Sequence, residues 1–438
     1  MLGVATLLMA GGVARAEEPS IPNLYVTATD FQNNFPATDR FWYFRTETGN
    51  YITEGGQHPA IEFDANRVAE PGKVIPPVQG VVYPKNGFIT VRLRIKNENN
   101  TAVNVSLKEC GGSITADEFP YALELFPFAA SDTTTIPANS DSTWIHFELM
   151  TAPYCVNLGN FSLWSRFYAK FVDESPEALP KVNPFSAATC RFYTVDSAPV
   201  GLQAVPWTDF LELSCKWAQW QEDEWDVSAR AAHGIRHSTH VGGKLVYNPE
   251  LGFYTVPATG LFTEYSNTIP PSYQYRVKLA TFLSQVHLPQ DIQMDCRDFA
   301  ACMWLARQSQ GYSGTQIVLA AASGPGFSTN LIAPAPEPAL FFPGSYDTKE
   351  FAFHSVATDG EHKIFDASNS YDLDLNGAIH RAEVAWWDFP GYWQTWIEAN
   401  HDMVGLANGP TENDSGPVPY AFGSVTPVAI VPGPESNE

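Results

Sequence analysis

Apolar and polar residues alternate with a period of two over several short stretches in the first half of the chain. Val91, Leu93 and Ile95 are set against Thr90, Arg92, Arg94 and Lys96, the pattern of a strand with one buried face. Asn97-Glu98-Asn99-Asn100 supplies a turn, after which Val103, Val105 and Leu107 resume the alternation. Ile145, Phe147 and Leu149 repeat it after Asp141-Ser142, and Phe167, Ala169 and Phe171 follow. Short strands joined by polar turns predict an antiparallel β-sandwich over residues 76–200, after a mixed, Pro-containing extension over 17–75. Ser197-Ala198-Pro199-Val200-Gly201 reads as a linker. Beyond it the composition turns towards helix, in a Trp-rich stretch over Trp207–Trp225 and again from Arg276 to Phe282. A second, α+β domain is therefore expected over 201–405. Residues 406–438, rich in Gly, Pro, Asn and Ser, predict a flexible tail.

Composition narrows the setting. With 25 Lys plus Arg against 48 Asp plus Glu, the net charge is −23, which repels phosphate backbones and anionic lipid. Nucleic acid is not expected as a partner. The apolar run at residues 1–16 is too short to span a bilayer and ends in Ala14-Arg15-Ala16, a small-x-small pattern. It reads as a signal peptide, and hence as a secreted or periplasmic protein without membrane insertion. The six cysteines, Cys110, Cys155, Cys190, Cys215, Cys296 and Cys302, form no CxxC, and spacing alone does not fix any pairing.

The chemistry-bearing segment is Asp295-Cys296-Arg297-Asp298-Phe299-Ala300-Ala301-Cys302-Met303-Trp304. Phe299, Ala300, Met303 and Ala306 fall on one face of a predicted helix, with Gly311 as its stop. Cys296 sits in the first turn, where unpaired N–H groups and the helix dipole favour a thiolate. Cys302, further along the helix, reads as an inert core thiol. Downstream, Phe353-His354-Ser355-Val356 and Ile364-Phe365-Asp366 flank Thr358-Asp359-Gly360, a hairpin signal that sets His354 and Asp366 on adjacent strands. Side chains alternate faces along a strand, so the two can meet only if the connecting loop has an odd number of residues or a bulge. Each residue taken singly is commonest as a core or turn residue; their order and context together point to an activated nucleophile.

In this pattern the sequence resembles the transglutaminase-like superfamily, in which a Cys opens a helix with an Asp-Phe-Ala-like continuation, followed by a His and then an Asp on the next strand. Cys296, His354 and Asp366 fill those positions, with Asp298-Phe299-Ala300 and Phe365-Asp366-Ala367 as context. The resemblance covers about 110 residues well (280–390) and implies an α+β fold: a transglutaminase-like, papain-related C-terminal domain preceded by the antiparallel β-sandwich. It implies cysteine-dependent acyl transfer on amide bonds of a protein or peptide substrate, with no required cofactor. Hydrolysis is preferred because water needs no second binding site. Cross-linking transglutaminase activity is the alternative, and a catalytically inactive secreted binding protein is the reading from another class. The family's upstream aromatic oxyanion donor has no evident counterpart. Gln290, six residues before Cys296, stands where a papain-like enzyme has its oxyanion Gln.

Weaker constellations remain. Asp372-Leu-Asp374-Leu-Asn376-Gly377 with Glu383 matches a calcium loop, in which alternating hard oxygens, a Gly at the sharp turn and a bidentate Glu suit Ca²⁺. A solvated acidic loop is the alternative. His233, His237 and His240 have the residue type but not the context of a zinc site, since Gly234 stands where a zincin has its Glu. Trp386, Trp387, Trp393 and Trp396 read as core rather than as a sugar platform. If Asp372, Asp374, Asn376 and Glu383 bind Ca²⁺, EDTA lowers the melting temperature and millimolar Ca²⁺ restores it, because a ligand of the folded state alone stabilises it. Melting curves that coincide in both conditions would remove the site.

Overall fold

A computed structural model describes residues 21–33, 61–62, 80–116, 122–125, 133–142, 145–151, 154–204, 206, 208–248, 263–265, 274–277, 279–321, 327–328, 332–335, 350–351, 353–359, 363–371, 385–386, 392, 403–404 and 421–430. The 1–16 segment and the calcium-loop residues Asp372, Asp374, Asn376 and Glu383 lie outside them.

The first half is built of strands: β1 (Leu24–Asn33), β2 (Ile61–Glu62), β3 (Gly80–Pro84), β4 (Phe88–Asn97), β5 (Val103–Ala116), β6 (Ala122–Leu125), β7 (Thr134–Ile136), β8 (Ser140–Asp141), β9 (Ile145–Thr151), β10 (Asn157–Phe171) and β11 (Lys181–Val195). They form two sheets. One runs β2-β1-β4-β8 with β9 also on β4, and the other runs β3-β11-β10-β5-β6 with β7 also on β5. All pairings are antiparallel except β3 with β11, which is parallel. The strands anticipated from alternation at 91–95, 103–107, 145–149 and 167–171 fall within β4, β5, β9 and β10. Their inward residues Ile95, Val103, Val105, Phe167 and Ala169 are buried.

The turn after β4 does not close a hairpin, because β4 and β5 belong to different sheets. Asn97 pins this crossover. Its buried amide donates to the carbonyls of Thr101 (2.9 Å) and Pro137 (3.0 Å), and its Oδ1 accepts from the Asn99 N–H (3.0 Å). A side chain thus satisfies backbone groups that no ladder serves.

The second half mixes helices and strands. In chain order it has α1 (Thr208–Trp217), α2 (Glu224–Arg236), β12 (Leu245–Tyr247), β13 (Thr263–Tyr265), β14 (Gln274–Val277), α3 (Leu279–Val286), β15 (Ile292–Met294), α4 (Cys296–Ser309), β16 (Thr315–Ala321), β17 (Phe327–Ser328), β18 (Ile332–Pro334), β19 (Glu350–Phe351), β20 (Phe353–Thr358), β21 (Ile364–Phe365), β22 (Asn369–Tyr371), β23 (Ala385–Trp386), β24 (Met403–Val404) and β25 (Ala421–Ile430). The chain is thus α+β. Its main sheet runs β13-β14-β25-β16-β20-β21-β23, with β24 on β16. Residues 421–430, expected in a flexible tail, instead pair as β25 between β14 and β16; their Val-Ala-Ile end is strand-forming despite the Gly- and Pro-rich surroundings.

The halves meet along an apolar seam. Val82, Leu158 and Tyr193 from the sheet half pack with Leu211, Cys215 and Val227 from the helical half. Backbone bonds cross it, from the Val156 N–H to Gln221 O (2.9 Å) and from the Trp220 N–H to Val156 O (2.8 Å). The segment read as a linker is itself tied down: the Ser197 N–H donates to Gln310 O and the Val200 N–H to Gln308 O, each at 3.0 Å. Gly201 ends it at φ +57°, where an added Cβ would run into the Gln308 side chain. Leu158→Ala should cost about 3 kcal/mol. Urea unfolding should show a lowered midpoint in one shared transition. Two separable transitions would show that the seam does not couple the halves.

Candidate active site

The site gathers at the start of α4, where the chain leaves β15 and turns into the helix. Asp295 is the N-cap, with its Oδ1 accepting from the N–H groups of Arg297 (2.8 Å) and Asp298 (3.0 Å). Asp298 reaches back to the Asp295 N–H (3.3 Å), completing a capping box. Arg297 closes on Asp295 Oδ2 through Nε (2.7 Å) and Nη2. Cys296 is thereby fixed as the first helical residue. The expectation of a single apolar face was too narrow: every residue of α4, charged ones included, is buried.

Burial reverses the expected thiol chemistry. The Cys296 thiol is pushed well up, first by burial and then by the Asp295 carboxylate. The Arg297 guanidinium and a hydrogen bond from the Ser355 N–H act in the opposite direction. Loss of solvent here acts against the thiolate that a helix N-terminus favours. Cys302 is also pushed up by burial, with Asp298 as its charged neighbour.

His354 lies on β20, which pairs with β16 (Leu319 opposite His354), and is fully buried. The next residue supplies the N–H that reaches the Cys296 sulfur, so the strand that carries His354 runs past the thiol. Ser355 is braced from behind by Gln316, whose Nε2 donates to Ser355 Oγ (2.5 Å) and to Arg297 O (3.5 Å). His354 Nε2 is 3.0 Å from Asp366 Oδ2, which leaves Nδ1 as the nitrogen that can serve a thiol.

In the hairpin that brings them together, five residues of sequence, 359–363, separate the two strands paired at Thr358–Ile364 and Ala357–Phe365. Asp359 closes it, its N–H donating to Lys363 O (3.2 Å) and its Oδ1 accepting from the Lys363 N–H (3.0 Å). The odd loop length meets the parity requirement. Continued one residue, the register sets Asp366 opposite Val356, so His354 is a diagonal neighbour on the same face.

Asp366 is 1% exposed, and donors converge on both of its oxygens. Oδ1 accepts from the Ser368 N–H (2.9 Å), Ser368 Oγ (2.7 Å) and the Asn369 N–H (3.3 Å). Oδ2 accepts from the Tyr392 hydroxyl (3.1 Å) as well as facing His354. Tyr392 was not singled out from sequence; an isolated Tyr 26 residues downstream carries no local pattern.

A second aromatic missed in the sequence is Tyr247, at the end of β12. The parallel pairing Tyr247–Met294 sets it beside the residue two before Cys296. Its hydroxyl hydrogen-bonds to Cys296 and is pushed well above its usual range, first by burial and then by the charges at Cys296, Asp295 and Asp366. Gln290, the other oxyanion candidate, is exposed in the loop before β15.

Away from this cluster, the rings of His233 and His237 lie 4.0 Å apart at the end of α2. Both are pushed down to about 4, by burial first and then by Arg236. His240 follows in a turn with φ +63°. Among the described residues, no group of three or more His, Cys, Asp or Glu side chains is arranged to hold a metal ion. Among those residues, too, no helix is long and apolar enough to cross a membrane.

No family model matches the chain, and no curated protein matches it. Among solved structures, red sea bream transglutaminase aligns over 66% of this chain and 46% of its own, at 9% identity and a TM-score of 0.30. The ASH/PapD-like domain 7 of human CEP192 aligns over 31% of this chain and 99% of its own, at 11% identity and a TM-score of 0.20. The secreted serine protease VesC from Vibrio cholerae aligns over 66% of this chain and 43% of its own, at 9% identity and a TM-score of 0.14. Likenesses this distant carry no inference about chemistry.

Asp295→Asn keeps a capping side chain while removing the charge that most raises the thiol. Alkylation of Cys296 by iodoacetamide at neutral pH should then run roughly tenfold faster, the effect of about one pKa unit. An unchanged or slower rate, read by mass spectrometry at Cys296, would contradict this account of the thiol.

Proposed function

We propose that the chain is a thiol-nucleophile acyl-transfer enzyme that hydrolyses amide bonds in a protein or peptide. The observation that carries this reading is the 3.0 Å contact between His354 Nε2 and Asp366 Oδ2, beside a Cys that opens a buried helix. Cys296 Sγ attacks the amide carbon as His354 Nδ1 takes the thiol proton, and Asp366 holds the imidazole and balances its charge. The oxyanion that forms is met by the Tyr247 hydroxyl and by the Cys296 N–H, which as a first-turn donor has no intrahelical partner. The C–N bond breaks as His354 returns the proton to the leaving amine. Water then attacks the thioester, giving up its proton to His354, and the acid and the thiol are regenerated.

A thiol raised by burial suits this sequence when the proton moves during the attack, since no thiolate need stand exposed beforehand. In this reading the second half is a transglutaminase-like, papain-related domain, and the two N-terminal sheets are a β-sandwich that braces it. Residues 1–16 direct it out of the cytoplasm, to a secreted or periplasmic setting.

Cys296→Ala should abolish hydrolysis of an unfolded protein substrate while leaving the melting temperature nearly unchanged. Cys302→Ala should leave hydrolysis intact and lower stability by about 1 kcal/mol, as for a small cavity in the core. Full activity in Cys296→Ala would sink the reading. Cross-linked product in place of free acid would replace hydrolysis by transamidation.

A further inference from the structure

The carboxylate of Asp366 is served unequally at its two oxygens. The three donors on Oδ1 come from the two residues just beyond Ala367, Ser368 and Asn369, and form the local turn that an Asp makes with its own backbone. They need no explanation beyond folding. Oδ2 is different. It is shared between His354, on the neighbouring strand, and Tyr392, 26 residues downstream, and both are fully buried. A phenylalanine would fill the Tyr392 site without a hydroxyl to satisfy. The chain instead aims a phenol at the oxygen that faces the imidazole.

From this geometry we infer that Tyr392 is a positioning residue that sets the proton affinity of His354 through Asp366. The inference rests on the reading of Cys296 and His354 as nucleophile and base. A donor on Oδ2 draws charge away from the lone pair facing Nε2 and weakens the carboxylate's hold on an imidazolium. A hold that is too strong makes His354 a good acceptor of the thiol proton and a poor donor to the leaving amine. Catalysis needs both roles from one ring. The other titratable or charged groups that act on Cys296 are Asp295 and Arg297 at the start of α4 and Asp366 itself, and Tyr247 on β12 bonds to the thiol.

The test uses the full chain and needs no substrate. The rate of Cys296 alkylation by iodoacetamide is followed against pH by mass spectrometry, in wild type, Tyr392→Phe and His354→Ala. Wild type should show two limbs, one as the imidazolium of His354 gives up its proton and the neutral ring can take the thiol proton, and one at higher pH as the thiol ionises unaided, and His354→Ala should lack the first. Tyr392→Phe should move the imidazolium limb upward by about one pH unit, the scale of one lost hydrogen bond to a charged group. A Tyr392→Phe profile that overlies the wild type, or moves downward, overturns the role of Tyr392 and leaves the triad standing. A wild type in which Cys296 alkylates no faster than Cys302, with no response to His354→Ala, overturns the triad and this inference together. Should Tyr392→Phe not fold, Ser368→Ala carries the same test by removing a donor from Oδ1. A smaller upward shift supports control of His354 through the donors on Asp366, and an unmoved limb overturns it.

Discussion

Everything at the site depends on a helix that has no solvent face. A helix enclosed on all sides is ordinarily apolar all round, yet α4 carries Arg297, Asp298 and Arg307 into the interior. Each must find a partner there, because an unpaired buried charge is far more costly than a lost hydrogen bond. Arg297 folds back on Asp295. Arg307 bonds to Glu224 (2.8 Å) and to Ser313 O (3.0 Å), donates to Ser228, and stacks 4.6 Å above the Phe365 ring. That last contact reaches the strand that ends at Asp366. The charges on α4 therefore tie α2, α4 and β21 into one unit and fix the distance between the thiol's helix and the carboxylate's strand.

The same enclosure shapes the reactivity of the thiols. Cys296 and Cys302 are equally sealed, and burial dominates the protonation of both. What separates them is the neighbourhood. Cys296 has a guanidinium, a backbone N–H and a phenol beside it as well as the Asp295 carboxylate, while among charged groups Cys302 has only the Asp298 carboxylate as a neighbour. Position in the first helical turn matters less for the dipole it supplies than for the strand it lets the sulfur touch.

Local patterns were legible in the sequence, and long-range ones were not. The alternation at Val91–Ile95 and Val103–Leu107 marks strands because a period of two is written into neighbouring residues. It says nothing of which sheet each strand joins, and β4 and β5 part company at Asn97. The order Cys296, His354, Asp366 was visible, and strand parity required the odd loop that Asp359 closes. The Asp359-Gly360 pair suggests a two-residue turn, whereas the pairing of Thr358 with Ile364 leaves five residues between the strands. Tyr247 and Tyr392 are not legible in the sequence because a single aromatic residue has no period and no motif; only the register of β12 on β15, and the enclosure of Asp366, bring them in. Gln290 drew attention by its spacing from Cys296, but spacing along an exposed loop fixes no direction. The tail misled for a related reason, since composition averages over Gly and Pro and hides the strand-forming residues paired within 421–430.

The tethering of residues 197–200 changes what counts as a boundary in this chain. The Ser197 and Val200 amides bond to the carbonyls of Gln310 and Gln308 just where α4 ends, the Gln308 carbonyl also accepting the Gly311 N–H. The connection between the halves is therefore also the C-terminal stopper of the helix that begins with Cys296. A fragment cut at the Pro- and Gly-containing junction would lose that stopper and expose the apolar seam in the same stroke. Recombining either half with a foreign partner would disturb the far end of α4 even with every residue of the site left intact.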